Sequence, residues 1–89
     1  NIISGKYPRR SEMLTKAFIL IEVQVGRANH VAGSLRSLPE VTCADVVTGT
    51  FDIITSIEVA NMAAMADLVT SQMQSIRGVI KTITCVTAG

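Results

Sequence analysis

Two strand-helix-strand phrases, joined by the short turn Thr48-Gly49-Thr50, fill nearly the whole of this chain. Their correspondence is clearest where each helix ends: Ser37-Leu38-Pro39-Glu40-Val41 in the first phrase matches Ser75-Ile76-Arg77-Gly78-Val79 in the second. A strand-helix-strand unit repeated once, with a hairpin between the copies, predicts an α+β fold: a four-stranded antiparallel sheet, strand order 4-1-3-2, with two helices on one face. The other face is left open, to be covered by water, a ligand or a second copy of the chain.

The strands are written in period two. From Ala17 to Val25 one parity is uniformly apolar (Ala17, Ile19, Ile21, Val23, Val25), while the other runs Phe18, Leu20, Glu22, Gln24. From Phe51 to Val59 the same arrangement returns, with Phe51, Ile53, Thr55, Ile57 and Val59 on the fuller side and Asp52, Ile54, Ser56 and Glu58 on the mixed one. Both strands thus agree on which side carries the helices, and the half-apolar second parity suits a face partly covered by a partner. The remaining strands are expected at Val41 to Thr48 and Val79 to Thr87, where Thr82 and Thr84 share a parity.

Between them, Ala28, Val31, Ala32, Leu35 and Leu38 recur at helical spacing until Pro39, which cannot continue a helix. The second helix is expected to start on an Asn61 N-cap and to line one side with Met65, Leu68, Val69, Gln72 and Ile76. Met62 and Met73 flank that stripe as core filler, and Gly78 supplies a left-handed stop.

At 89 residues the chain suits one domain with one small core. Yet 48% of its residues are hydrophobic and its mean hydropathy is +0.43, a heavy load for so little interior, which places apolar surface between subunits. Eight Lys and Arg against seven Asp and Glu give a net charge of +1, too weak a field to indicate a nucleic-acid partner. No apolar run approaches the roughly 18 residues of a membrane span, and no secretory signal pattern opens the chain, so the expected compartment is the cytoplasm. Cys43 and Cys85 fall on the second and fourth strands, opposite edges about 14 Å apart at about 4.8 Å per strand. An intramolecular disulfide is therefore excluded, since it needs Cα atoms within about 7 Å.

Asn1 to Glu12, polar and basic with Lys6, Arg9 and Arg10, precedes the patterned stretch as an arm. Met13 is a candidate natural start, which would make these residues an appended or extended-frame segment. The competing reading has Ile2 and Ile3 forming a short strand on a sheet edge, a neighbour's edge included. The single folded domain is then residues 13–89.

Chemistry is sparse. One His, two distant Cys and no Cys-x-x-Cys do not make a metal site. His30, the only neutral-pH base, lies off the apolar helix stripe, so a nucleophile lacks an activating partner. No phosphate-cradling glycine pattern occurs and no cofactor is implied. What remains is the turn Thr48-Gly49-Thr50-Phe51-Asp52. There Gly49 permits a positive φ and a close backbone approach, Asp52 offers a carboxylate and the turn amides offer donors. A zwitterionic amino acid needs that combination; the same five residues also read as a plain hairpin turn with a solvated Asp.

These residues and the double phrase resemble the effector-binding (RAM, regulation of amino acid metabolism) domain of the leucine- and asparagine-responsive (Lrp/AsnC) transcription regulators, over Thr15 to Ala88. The points of likeness are Ala17-Phe18-Ile19-Leu20-Ile21, Leu35 to Val41, Val47-Thr48-Gly49-Thr50-Phe51-Asp52, and Ile76-Arg77-Gly78-Val79 before Thr82-Ile83-Thr84. The resemblance implies a ferredoxin-like domain whose sheets pair face to face in a homodimer of the αβ-barrel type, dimers that assemble into tetramers or octamers, and amino-acid effectors bound between subunits. Gly49 and Asp52 match the family's Gly-x-aromatic-Asp hairpin, with Phe51 where Tyr is more frequent; Thr82 and Thr84 match polar positions near its cleft. Full-length members carry an amino-terminal helix-turn-helix for which Asn1 to Glu12 is too short. The resemblance therefore suggests a regulator that senses an amino acid, does not bind DNA by itself and assembles with full-length relatives. The rival readings are an assembly module with an empty cleft and a small dimeric αβ-barrel enzyme of the monooxygenase type.

Overall fold

The computed structural model describes residues 14–88; the expectations placed on Asn1 to Glu12 lie outside them. In chain order the elements are β1 (Thr15–Val23), α1 (Ala28–Arg36), β2 (Val41–Val46), β3 (Ile53–Val59), α2 (Met62–Asp67) running on into a π-helical segment (Leu68–Met73), and β4 (Val79–Val86). The strands form one antiparallel sheet in the order β2-β3-β1-β4, the ferredoxin-like arrangement expected from the duplicated phrase.

Period two decides which residues are core. Ala17, Ile19, Ile21 and Val23 of β1 and Ile53, Thr55, Ile57 and Val59 of β3 are buried, and they pack against Val31, Ala32 and Leu35 of α1 and against Met65, Leu68, Val69 and Met73. Val25 does not join them: it is fully exposed. The chain has already left the sheet, because the Arg27 amide donates to the Gln24 carbonyl (3.0 Å) across a tight turn. Gly26 supplies the positive φ of +83° that such a turn needs at its third residue.

The helices begin and end differently. Asn61 caps α2 as expected, its side-chain oxygen accepting from the Ala64 amide at 2.8 Å, whereas no side chain caps α1 at Arg27. Gly78 has φ +104° and closes the second helical turn. A Cβ there would lie 3.0 Å from the Arg27 Cβ, so both conformation and packing demand glycine. Past Asp67 the helix widens. The Gln74 amide donates to the Val69 carbonyl five residues back, at 2.9 Å, and the wider turn moves the inward position from Gln72 to Met73. Gln72, expected on the apolar stripe, is exposed, and Met73 is fully buried; Met62, expected beside it as filler, is 56% exposed.

Candidate functional site at the hairpin end of the sheet

Strands β2 and β3 are joined by Val47 to Asp52, closed where the Val47 amide donates to the Asp52 carbonyl (2.9 Å). The strands stop short of the sequence expectation, at Val46 and Ile53, so Thr48, Gly49 and Thr50 stand exposed in an irregular loop and Phe51 and Asp52 are half-buried. Gly49 does not use a positive φ, contrary to expectation, since Gly26 and Gly78 are the residues that do among those described. Nor does its own subunit crowd it: a Cβ built at Gly49 meets nothing within 4 Å.

Asp52 is held by the end of β1. Its amide donates to the Ile21 carbonyl (3.0 Å), and its carboxylate Oδ2 accepts from the Val23 amide (2.9 Å). Asp52 lies one residue before β3, and these two bonds tie it to the end of β1 past the last paired residues, Ile21 and Ile53. Asp52 therefore lies at the same end of the sheet as Glu22, which pairs with Lys81 on β4. One rim therefore holds Asp52, Glu22 and Lys81, with Asp52 and Lys81 two strands apart, about 10 Å between backbones. An ionised carboxylate offers about four acceptor sites, so the Val23 amide leaves Asp52 able to accept from an ammonium group. Lys81 is a charged residue of this rim that sequence reading did not single out. It carries no motif of its own, and only the β1–β4 register places it here.

Thr82 and Thr84 do share a face, but it is the helix side of the sheet. Thr82 pairs with Ile21 and Thr84 with Ile19, both core residues. The Thr82 hydroxyl accepts from the Gln74 side-chain amide at 2.9 Å, beside a recess of about 420 Å³ that Lys81 also lines. Thr84 borders an apolar groove of about 270 Å³ with Met62, Met65, Ala66, Val69 and Thr70. Within one subunit, then, the two threonines face the helices, while Thr48, Gly49 and Thr50 lie in the loop beyond the strand ends.

Elsewhere the surface offers little chemistry. His30 is exposed on α1, and no group of three or more His, Cys, Asp or Glu among the described residues could hold a metal ion. No helix among the described residues is long and apolar enough to cross a membrane. Cys43 and Cys85 are free and exposed, and the Cys43 thiol is pushed up from its ordinary pKa by its hydrogen bond to Asp45.

The open face presents Phe18, Ile54 and Ile83, exposed at 38%, 39% and 37%, together with the half-buried Leu20. These side chains form one apolar stripe, because Leu20 pairs with Ile54 on one side and Ile83 on the other. It runs across the sheet, flanked by Lys16 and Glu58 at one end and by the Asp52 rim at the other.

Comparison with known proteins places this geometry. The sequence pattern of the Lrp/AsnC ligand binding domain matches residues 16–88. Among solved structures, FFRP-DM1 superposes with a TM-score of 0.80 at 27% identity, over 83% of this chain and 99% of that one. TTHA0845 from Thermus thermophilus gives 0.81 at 27% identity, over 84% and 94%. The transcriptional regulator NMB0573 from Neisseria meningitidis, in complex with L-Met, shares the fold at 0.80 and 23% identity, over 98% of this chain and 63% of that one. No curated protein sequence matches the chain at a significant level.

Proposed function

Because this chain belongs to the Lrp/AsnC ligand-binding domain family, we propose that it is an effector-binding regulatory domain whose effector is an amino acid held between subunits of a homo-oligomer. The observation that carries the proposal is the rim at the hairpin end, where an acceptor for an ammonium (Asp52) and donors for a carboxylate (the amides of Thr48 to Thr50 and the Lys81 ammonium) lie on one edge of the sheet. The apolar stripe beside that rim is the surface a second copy covers, forming a face-to-face dimer. Phe51 packs at the base of the loop, and Thr82 and Thr84 of a neighbouring subunit complete the cleft.

Regulation follows from assembly. An effector that binds between subunits has different affinities for assembled and dissociated states, and it shifts the balance toward the state it prefers. Dimers of this domain assemble further, as tetramers or octamers, and the same surfaces accept full-length relatives that carry a DNA-binding half. In this reading the domain passes effector binding on to transcription through its state of assembly.

One observation favours a second reading. The Asp52 carboxylate already serves its own subunit by capping the Val23 amide, which is what an assembly module with an empty cleft would also show. Isothermal titration with the twenty amino acids, L-Met first because a structural relative is a complex with it, separates the two. Binding tighter than about 1 mM, or about 4 kcal/mol, accompanied by a change in sedimentation, is the expected result. No heat with any amino acid from a protein that still assembles would hand the role to the assembly module.

A further inference from the structure

The strand registers place a thiol at each end of one row across the open face. Cys43 on β2 pairs with Ser56 on β3, Ser56 with Phe18 on β1, and Phe18 with Cys85 on β4. The neighbouring residues Ala44, Thr55 and Ile19 are buried on the helix side, so the row itself points to the open side. Within one subunit the thiols are separated by the full width of the sheet, about 14 Å at about 4.8 Å per strand.

A second copy changes that distance. Consider a twofold axis running along the strands between β1 and β3, with the two open faces opposed. Each β1 then lies over the partner's β3, and each β2 edge meets the partner's β4 edge in antiparallel sense. Leu20 meets Ile54 of the partner subunit, apolar on apolar. Lys16, which pairs with Glu58 in its own sheet and reaches over the Phe18 ring, meets Glu58 of the partner subunit, so a cation and an anion are matched twice. At the hairpin end Glu22 is balanced within its own sheet by Lys81, with which it pairs. The same operation carries Cys43 onto the row and edge of the partner's Cys85.

We propose that, in the face-to-face dimer so oriented, Cys43 of each subunit forms a disulfide with the partner's Cys85 under peroxide, two bonds per dimer. The inference rests on the face-to-face dimer of the proposed function. Stacked sheets lie about 10 Å apart at their centres, farther than the roughly 4.4–6.8 Å between Cα atoms of a disulfide. The bond therefore requires the sheets to curl until their edges approach as neighbouring strands do, about 4.8 Å apart. The chemistry balances with a hydroperoxide as oxidant. The Cys85 thiol is oxidised by hydrogen peroxide to a sulfenic acid, releasing water. The sulfur of the partner's Cys43 then attacks the Cys85 sulfur, forming the S–S bond and expelling a second water. Cys43 is the resolving thiol, because the carboxylate of Asp45 accepts its hydrogen bond at 3.2 Å and disfavours its thiolate.

The test uses the reduced full chain, first sized by sedimentation in reductant, then treated with equimolar hydrogen peroxide and run on non-reducing electrophoresis with peptide mass mapping. The expected result is a dimer in reductant, doubling of apparent mass after peroxide, reversal by dithiothreitol, and a cross-linked peptide joining the Cys43 and Cys85 segments. Cys43→Ser and Cys85→Ser should each abolish the covalent dimer while leaving the reduced dimer intact. A reduced dimer that gives no covalent species, or one linked Cys43 to Cys43 or Cys85 to Cys85, overturns this orientation and leaves the dimer standing. A monomer in reductant overturns the dimer itself and this inference with it.

Discussion

The two faces of this sheet are built from the same strands, yet they end in opposite states. On the helix side, Ile19 and Ile21 of β1 and Ile53 and Ile57 of β3 are fully buried. On the other side, residues one position away in sequence, Phe18 and Ile54, are over a third exposed. Alternation alone cannot cause this, because both parities are rich in apolar side chains. The difference is that two helices cover one face, whereas nothing among the described residues covers the other. The described residues supply one layer of helices, and the second apolar face is the surface that the proposed association would cover. The described fold buries one of its two apolar faces and leaves the other exposed.

The largest test of that contrast is a pair of neighbouring substitutions. Ile19→Ala removes a fully buried side chain from the helix side and should cost about 2–5 kcal/mol of unfolding free energy, seen in urea denaturation and independent of protein concentration. Leu20→Asp, one residue along and half-buried on the open face, should leave the circular dichroism of the subunit intact. It should instead weaken the dimer by at least about a hundredfold, or about 2.7 kcal/mol, in sedimentation equilibrium. If Leu20→Asp instead unfolds the subunit, the two faces are not separable, and association is part of folding.

Next in size is Asp52, where the fold and the proposed site meet. Asp52→Ala deprives the part-buried Val23 amide of its acceptor and should cost about 1–3 kcal/mol in stability. Amino-acid binding should also weaken, by about 1.5–3 kcal/mol for a lost charged hydrogen bond. Asp52→Asn sharpens the comparison, because the amide oxygen still accepts from Val23 while the negative charge is gone. Stability should largely recover and ligand affinity should not. An Asn variant with wild-type affinity would make this carboxylate structural only.

Much of this was legible in the sequence, for physical reasons that vary by element. The sheet order and the helix-bearing face follow from the repeated phrase and its period-two strands, and Asn61 and Gly78 announce the ends of the second helix through their capping and left-handed preferences. The interior of that helix did not follow. A regular 3.6-residue spacing points to Gln72, and no sequence signal marks the π turn that brings Met73 inward instead. The site divides in the same way. The hairpin could be read because a Gly and an Asp are concentrated in five residues, while the part played by Lys81 depends on pairing between strands far apart in sequence. That Thr82 and Thr84 face the helices could not be read from the sequence, because parity gives the side on which a residue lies only relative to its own strand. Register is needed to relate β4 to β3.

The smallest expected change in stability is also the most selective probe of what lies outside the subunit. Gly49 has no positive φ to maintain, and a Cβ there would meet nothing within 4 Å. Gly49→Ala should therefore shift unfolding by less than about 0.5 kcal/mol, the range for surface substitutions that disturb no special feature, and the loss of backbone freedom in the unfolded chain should make it slightly favourable. If an amino acid is bound against the bare backbone of this loop, the added methyl group stands where the ligand must approach, and calorimetric affinity should fall with the fold and the dimer both unchanged. Gly78→Ala gives the opposite signature: that glycine is held at φ +104° against Arg27 and Val31, so its replacement should destabilise the subunit and leave affinity per folded molecule alone. Unaltered binding in Gly49→Ala would mean that no ligand approaches the backbone at Gly49, and recognition would then fall to the side chains of Asp52 and Lys81.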